Sequence, residues 1–507
     1  MSGATQPASG AVSVETEGAA SRAEGAKTGG GAYGLDDMRD LLALQREAYL
    51  TQGGVSLETR VDRLDRALRL VHGHQDRIIA ALNEDFGCRS PHQSQMSDIY
   101  AAMEALKHAK KHVGRWMTPE KRKIAFPLNL FGARGHVHYQ PKGVVGILGT
   151  WNFAVNTVFG PLAGVLAAGN RAMLKFSEVA PATAALMEGL VASTFDPSEV
   201  GCVTGGPEVG AAFSALPLDH LVFTGSAAIG KQVMRAAAEH LTPVTLELGG
   251  KSPAIVAADY DLAEAAARIM TGKSLNVGQA CLAPDYVFVP AARLEAFAQH
   301  AAEFTAGMYP TILANRDFTS IVDARHLARL QRYLEEARAA GVTVSEINPA
   351  GEDLSTQEGT HKLPFTLVVD PPEELALMRE ELFGPILILK PYDALRDCTR
   401  YVATHPRPLG LYVFTHDERV VQDVLANTIS GGVVVNDVMV HASAEDLPFG
   451  GTGPSGMGHY HGQDGFKTFS HARPVYRQTK LPLQRLGGML PPFGERAEKQ
   501  LKKMTSL

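Results

Sequence analysis

A cysteine among small residues, Asn276-Val-Gly-Gln-Ala-Cys-Leu282, is the first place where this chain could do covalent chemistry. Its small neighbours leave a substrate room to approach the Cys281 thiol, and a helix beginning there would lower the thiol pKa through its dipole. An inert packed cysteine fits the same residues. Glu247 stands between two leucines in Thr245-Leu-Glu-Leu-Gly-Gly-Lys251, a costly position for a charge. Burial would raise its carboxyl towards the range of a general base, whereas an ion pair with Lys251 would make it structural. Trp151-Asn152 follows an apolar, glycine-containing run. The Asn152 amide there reads either as an oxyanion donor or as a turn residue.

Two further stretches could hold a nucleotide. Phe223-Thr-Gly-Ser-Ala-Ala-Ile-Gly230 has the form of a strand running into Gly225 and Ser226, with a helix opening behind them and reaching Gly230. Unpaired N–H groups and the positive dipole end at such a helix start suit a pyrophosphate. The spacing is not the GxGxxG fingerprint, and a tight strand–helix turn also favours glycine. Lys175-Phe-Ser-Glu178 follows an earlier strand. A carboxylate there can accept from ribose hydroxyls and would repel a 2′-phosphate, favouring NAD over NADP; a first-turn acid of the next helix is the other reading of Glu178.

The elements that must position these groups follow from periodicity. Leu35, Met38, Leu42 and Tyr49 share one helical face, and Val61, Leu64, Leu68 and Val71 share another. Residues 93–113 read as a third helix ending in the basic stretch Lys107–Lys111. From Gly143 onward short apolar strands alternate with helices, the pattern of a parallel sheet covered on both faces. The expected fold is α/β: a doubly wound, Rossmann-like cofactor domain, a second α/β catalytic domain and a small bridging or oligomerisation element. The division expected is 34–124 with 141–247 for the cofactor domain and 248–440 for the catalytic domain. The bridging element would take 125–140 with 441–480, leaving tails at 1–33 and 481–507.

Composition narrows the function classes. The chain has 507 residues, of which 45% are hydrophobic and 20% charged, an ordinary globular balance. Its 48 basic and 54 acidic residues give a net charge of −6, with no surplus pointing to nucleic acid or an anionic membrane. Four cysteines (Cys88, Cys202, Cys281 and Cys398) without a CxxC pair exclude a disulfide scaffold and favour a cytoplasmic setting. Residues 1–33 are rich in Gly, Ala, Ser and Thr, and read as a disordered tail without a signal peptide. The run Val144–Asn170 lacks Asp, Glu, Lys and Arg, but its Asn152, Asn156, Pro161 and glycines 146, 149, 160, 164 and 169 favour a buried strand–loop–helix over a membrane span. The i, i+2 pairs His72/His74 and His459/His461 lack matching ligands, so no metal site is expected.

Taken in order, Trp151-Asn152, Lys175–Glu178, Phe223–Gly230, Thr245–Lys251, Gly278-Gln-Ala-Cys281 and Glu381-Leu-Phe383-Gly-Pro385 resemble the aldehyde dehydrogenase superfamily. The resemblance extends over almost all of residues 35–480. His240–Pro253, Cys281-Leu-Ala-Pro-Asp-Tyr286 and Pro454-Ser-Gly-Met-Gly-His-Tyr-His-Gly462 are similar to its class 3 branch. Asp85-Phe-Gly-Cys-Arg-Ser90 and Arg115-Trp-Met-Thr-Pro119 are similar to the bacterial coniferyl aldehyde dehydrogenases within that branch. The resemblance implies oxidation of an aldehyde, either aromatic such as coniferaldehyde or medium-chain aliphatic, to its acid. Cys281 would be the nucleophile, Glu247 the general base and Asn152 the oxyanion donor. Trp151, Lys175, Glu178, Gly225, Ser226, Gly230, Leu248, Glu381 and Phe383 would hold NAD, or NADP. A homodimer is implied too. Thr150, Phe176 and Ala280 depart from the family's usual Pro, Pro and Thr, and Phe176 bears on the choice between NAD and NADP. A cofactor-independent cysteine esterase and a CoA-acylating relative are the alternatives; retention of Glu247 points to hydrolysis.

Overall fold

The computed structural model describes residues 34–126 and 128–506. The tail expected at residues 1–33 lies outside the described residues. Five parallel strands form the first sheet in the order Val244–Glu247, His220–Thr224, Val144–Leu148, Arg171–Lys175 and Val200–Val203. The chain thus starts in the middle, winds out to one edge and returns to the other side of its first strand. All but Val244–Glu247 are buried at every residue, as strands covered on both faces must be. Alternation divides their side chains between two separate cores. Val145, Ile147, Ala172, Leu174 and Val222 join one; Val144, Leu148, Met173, Leu221 and Phe223 join the other. The doubly wound α/β expectation therefore holds. A two-residue strand, Gly456–Met457, completes the sheet antiparallel to Val244–Glu247. It comes from the 441–480 stretch assigned by the sequence to the bridging element.

The second sheet has seven strands, from Thr343–Ile347 at one edge through Phe365–Val369, Ile386–Tyr392, Pro284–Pro290, Ser252–Val256 and Gly410–Phe414 to Gly432–Val435. All neighbours are parallel except the Thr343–Ile347 edge. Here too the period of two separates the cores: Ala254, Val256, Val287 and Val289 on one side, Ile255, Tyr286, Phe288 and Ile388 on the other. A third sheet joins Glu120–Arg122, Arg134–Pro141 and Ser470–Arg477 antiparallel, with Ser470 opposite Pro141 and Arg477 opposite Arg134.

The structure refines the helical readings. Leu35 begins the helix Leu35–Gln52 but is 40% exposed, so only Met38, Leu42 and Gln45 of that face are buried. The helix read at 93–113 runs from Pro91 to Trp116 and contains a π-helical turn, Gln95–Tyr100, ahead of the regular helix Ala101–Trp116. The 481–507 tail contains a helix, Glu495–Met504, anchored through the buried Ala497. No helix among the described residues is long and apolar enough to cross a membrane.

Candidate active site

A cavity of about 1580 Å³ opens where the strand order of the first sheet reverses. The loops following Val144–Leu148 and His220–Thr224 diverge there and bring Trp151-Asn152 and Gly225-Ser226 to its wall. This is where an open parallel sheet offers a crevice to ligands. The second sheet supplies the opposite wall: Cys281 lies just before strand Pro284–Pro290, and Glu381 and Phe383 just before Ile386–Tyr392. Glu247 and Leu248, at the end of strand Val244–Glu247, also line the cavity.

Cys281 does not begin a helix. It follows a short 3-10 turn, Leu275–Gly278, and the chain then turns into a strand. Three successive residues have positive φ: Asn276 at 50°, Val277 at 53° and Gly278 at 76°. Such a run is costly for non-glycine residues and must be held by its surroundings. Gln279 and Gln93 hold it. The Gln279 amide donates to Asn276 O at 3.1 Å and Ser320 O at 3.0 Å, and accepts from Val322 N at 3.0 Å. Asn276 N donates to Gln93 Oε1 at 3.0 Å. Without a helix dipole the expected lowering of the thiol pKa is absent. Burial, then the Glu247 and Glu381 carboxyls, push the Cys281 thiol well above its ordinary value.

The Glu247 carboxyl faces that thiol. The glutamate is 2% exposed, and Oε1 has no hydrogen-bond partner. Burial raises its pKa from 4.5 to about 7, although the contact with Cys281 opposes the rise. The alternative ion pair does not form: Lys251 pairs with Asp285 and donates to Leu377 O at 2.7 Å and Glu380 O at 3.0 Å. Asp285 in turn accepts from Leu382 N at 2.9 Å, so the pair fixes the loop that carries Glu381 and Phe383. Glu381 Oε1 is buried without a partner, and burial pushes this carboxyl up to about 8. A Cβ on Gly249 would stand 2.7 Å from Glu381 Oε1, so glycine is needed for that approach.

Asn152 is 2% exposed. Its Nδ2 donates to Gln279 O at 3.1 Å, which leaves one N–H of the amide without a partner in the cavity lining. Its backbone oxygen accepts from Arg89 Nη1 at 2.8 Å and Asn276 Nδ2 at 3.2 Å. Arg89 is paired with Asp98 at 2.7 Å, and Asp98 accepts from Val155 N at 2.9 Å. Sequence reasoning did not single out Arg89, Asp98, Gln93, Asn276 or Gln279 as site residues. Arg89, Gln93 and Asp98 stand in a polar stretch, Cys88-Arg-Ser-Pro-His-Gln-Ser-Gln-Met-Ser-Asp98, which gives no sign that they are buried.

The model of the aldehyde dehydrogenase family matches residues 32–475. The chain belongs to the aldehyde dehydrogenase family. It is 51% identical over 465 residues to the probable coniferyl aldehyde dehydrogenase of Caulobacter vibrioides, covering 92% of this chain and 96% of that protein. It is 48% identical over 466 residues to the coniferyl aldehyde dehydrogenase of a Pseudomonas strain, HR199, covering 92% and 96%. Among solved structures, a substrate-bound Staphylococcus aureus AldH superposes with a TM-score of 0.85 at 31% identity, covering 92% of this chain and 99% of the other. The protein is an NAD(P)-dependent aldehyde dehydrogenase.

In this aldehyde dehydrogenase the cavity fits a dinucleotide on structural grounds. Ser226 caps the helix Ala227–Ala238, its hydroxyl accepting from Ile229 N at 3.4 Å, and residues 226–229 are exposed beside the cavity. Two buried oxygens, Glu381 Oε1 and Thr224 Oγ1, have no partner within the protein and face a ligand able to donate. Trp151 and Phe383 meet edge to face, with centroids 5.3 Å apart. Lys175, Glu178 and Gly230 do not line the cavity. Lys175 is buried at the end of its strand, and its Nζ donates to Glu178 Oε2 at 3.0 Å and Phe176 O at 3.1 Å. Gly230 is buried inside the helix, where a Cβ would come 2.6 Å from Leu248 Cδ2. In this structure its missing side chain brings the helix close to Leu248, and Leu248 faces the cavity.

Proposed function

We propose that this enzyme oxidises aromatic aldehydes, with coniferaldehyde the leading candidate, to their acids, and prefers NAD to NADP. The observation carrying the reading is the placement of the Cys281 thiol against the Glu247 carboxyl, with Asn152 lining the same cavity. The names of the bacterial relatives support the substrate class. The exposed Glu178 carboxylate beside Lys175 supports NAD, because it would repel a 2′-phosphate.

The residues divide the chemistry among them. Cys281 Sγ attacks the aldehyde carbon, and its proton passes to the nearby Glu247 carboxylate. The oxyanion formed is met by the Asn152 amide and the Cys281 backbone N–H. When bound, the nicotinamide supplies the hydride acceptor. Trp151, Gly225, Ser226, Leu248, Glu381 and Phe383 hold and orient the dinucleotide, with Lys175 and Glu178 at its adenosine end and Gly230 behind Leu248. Glu247, once it has given the thiol's proton up to solvent, takes a proton from water, whose oxygen attacks the thioester carbon, and the Cys281 thiolate leaves as the acid is released.

We further assign 34–124 with 141–247 to cofactor binding, 248–440 to catalysis and 125–140 with 441–480 to bridging. The strand Ser470–Arg477, at the edge of its sheet with most residues exposed, is the surface through which a homodimer would form. A cytoplasmic setting agrees with four cysteines left as free thiols. The test is a panel of coniferaldehyde, benzaldehyde, hexanal and decanal with NAD and NADP, followed at 340 nm. Preference for the aliphatic aldehydes or for NADP would overturn the corresponding part of the reading.

A further inference from the structure

Beyond Cys281 and Glu247 the cavity continues between the helix Ala101–Trp116 and residues 438–445 and 460–461. Contacts lead outward from the thiol in sequence. Tyr460 is buried close to Glu247, Cys281 and Glu445. His461, next to it, stacks on Phe449 with centroids 4.9 Å apart and planes 19° apart. His108 reaches in from the opposite helix, near enough that a Cβ on Gly462 would stand 3.4 Å from its Nε2. His441 packs on the far side of Phe449, with centroids 6.3 Å apart.

His461 Nδ1 and His441 Nδ1 are buried without a hydrogen bond, whereas His108 Nε2 meets Asp446 Oδ1 at 3.3 Å. Burial, together with His441 and His108, lowers the His461 pKa to about 4, so the ring is neutral near pH 7. A neutral imidazole offers one donor and one acceptor. His461 and His108 line the aromatic cavity, while His441 stands outside its lining; leaving such nitrogens as His461 Nδ1 unpaired is costly and indicates a polar group to be supplied from outside. Among the described residues they do not gather into a set able to hold a metal ion. The group they suit is uncharged and both donates and accepts: a hydroxyl, carried on a ring that lies along Phe449 and Tyr460.

We propose that His461, supported by His108 and His441, reads a ring hydroxyl at the end of the substrate remote from the aldehyde, so that the enzyme selects hydroxyaryl aldehydes over their unsubstituted analogues. This rests on the aromatic-aldehyde reading of the same site. It gives a use to one histidine of the His459/His461 pair.

The experiment compares kcat/KM for 4-hydroxycinnamaldehyde and cinnamaldehyde in the full-length enzyme with NAD. The ratio of the two is independent of how much of a variant folds. Wild type is expected to favour the hydroxylated aldehyde by about 10-fold or more, the scale of one buried hydrogen bond. In His461→Phe the ratio should fall to about one, and His461→Gln should retain part of the preference. A ratio near one in wild type, or an unchanged ratio in His461→Phe, overturns the proposal. Oxidation of hexanal but of neither cinnamaldehyde would overturn the aromatic reading, and the hydroxyl proposal with it.

Discussion

Arg89 and Asp98 form an ion pair at 2.7 Å with neither side chain reaching solvent, and each also holds the backbone on one side of the Asn152 loop. The pair lies in the first helical part of the chain and the loop in the first sheet's domain, so it joins a structural cost to a catalytic position. Breaking a buried pair by removing one partner typically costs about 3–5 kcal/mol. Arg89→Met should therefore lower unfolding free energy by an amount of that order in denaturant titrations, and the folded fraction should show a reduced kcat because the Asn152 backbone oxygen loses one of its two donors.

Cys281→Ala should abolish aldehyde-dependent NADH formation. Glu247→Gln, which keeps the shape but cannot accept a proton, should release one equivalent of NADH in a stopped-flow burst and then stall at the thioester. Steady turnover by Cys281→Ala would sink the assignment of the nucleophile.

Glu247 also carries a pH signature. Its pKa is 4.5 in the unfolded reference and about 7 in the folded protein. The folded state thus holds a proton that the unfolded state releases across that interval, and this contribution to stability is full below 4.5 and lost as pH rises through 7. Glu247→Gln should accordingly gain stability relative to wild type between pH 5 and pH 8, by up to roughly 3 kcal/mol. In wild type the hydrolytic step should quicken over the same range, as the carboxylate form appears. A stability difference independent of pH would show that the carboxyl is not buried in this way.

Asn152→Ala should reduce kcat by about 10²–10³, the usual loss for one oxyanion donor. The loss should appear in the first turnover, before hydrolysis, and so differ from that of Glu247→Gln.

Gly278 has φ 76°, and a Cβ there would lie 2.2 Å from Gly384 O. Gly278→Ala must displace either the Cys281 loop or the Glu381–Phe383 loop. Activity should fall sharply and NAD affinity should weaken together, measurable as KM for NAD in any residual rate.

The first sheet could be read from the chain because continuous apolar runs mark its strands, and Glu247 stood out as a charge within one of them; the joint role of Cys281 and Glu247 came from the family resemblance, since 34 residues separate them. The Ser470–Arg477 and Arg134–Pro141 pairing could not, because both strands are largely polar and partly exposed and find each other only across the length of the chain. Whether a helix begins at Cys281 could not be read from its neighbours; the positive-φ run at Asn276–Gly278 is held by Gln279 together with the distant Gln93 and Gly384, which no single short window contains. Arg89 and Asp98 were hidden for a similar reason. Charged residues signal a surface unless the partner that neutralises them is known.

The short strand Gly456–Met457 has a consequence for how the enzyme comes into being. Gly456 sits opposite Glu247, and Leu248 N donates to Ser455 O at 3.0 Å. The ribosome has therefore delivered every strand of the second sheet before the segment bearing the base acquires its outer neighbour. Closing so long a loop is slow compared with local helix formation. A nascent chain that has already displayed its thiol therefore holds the base on an incomplete sheet until residues 455–457 arrive.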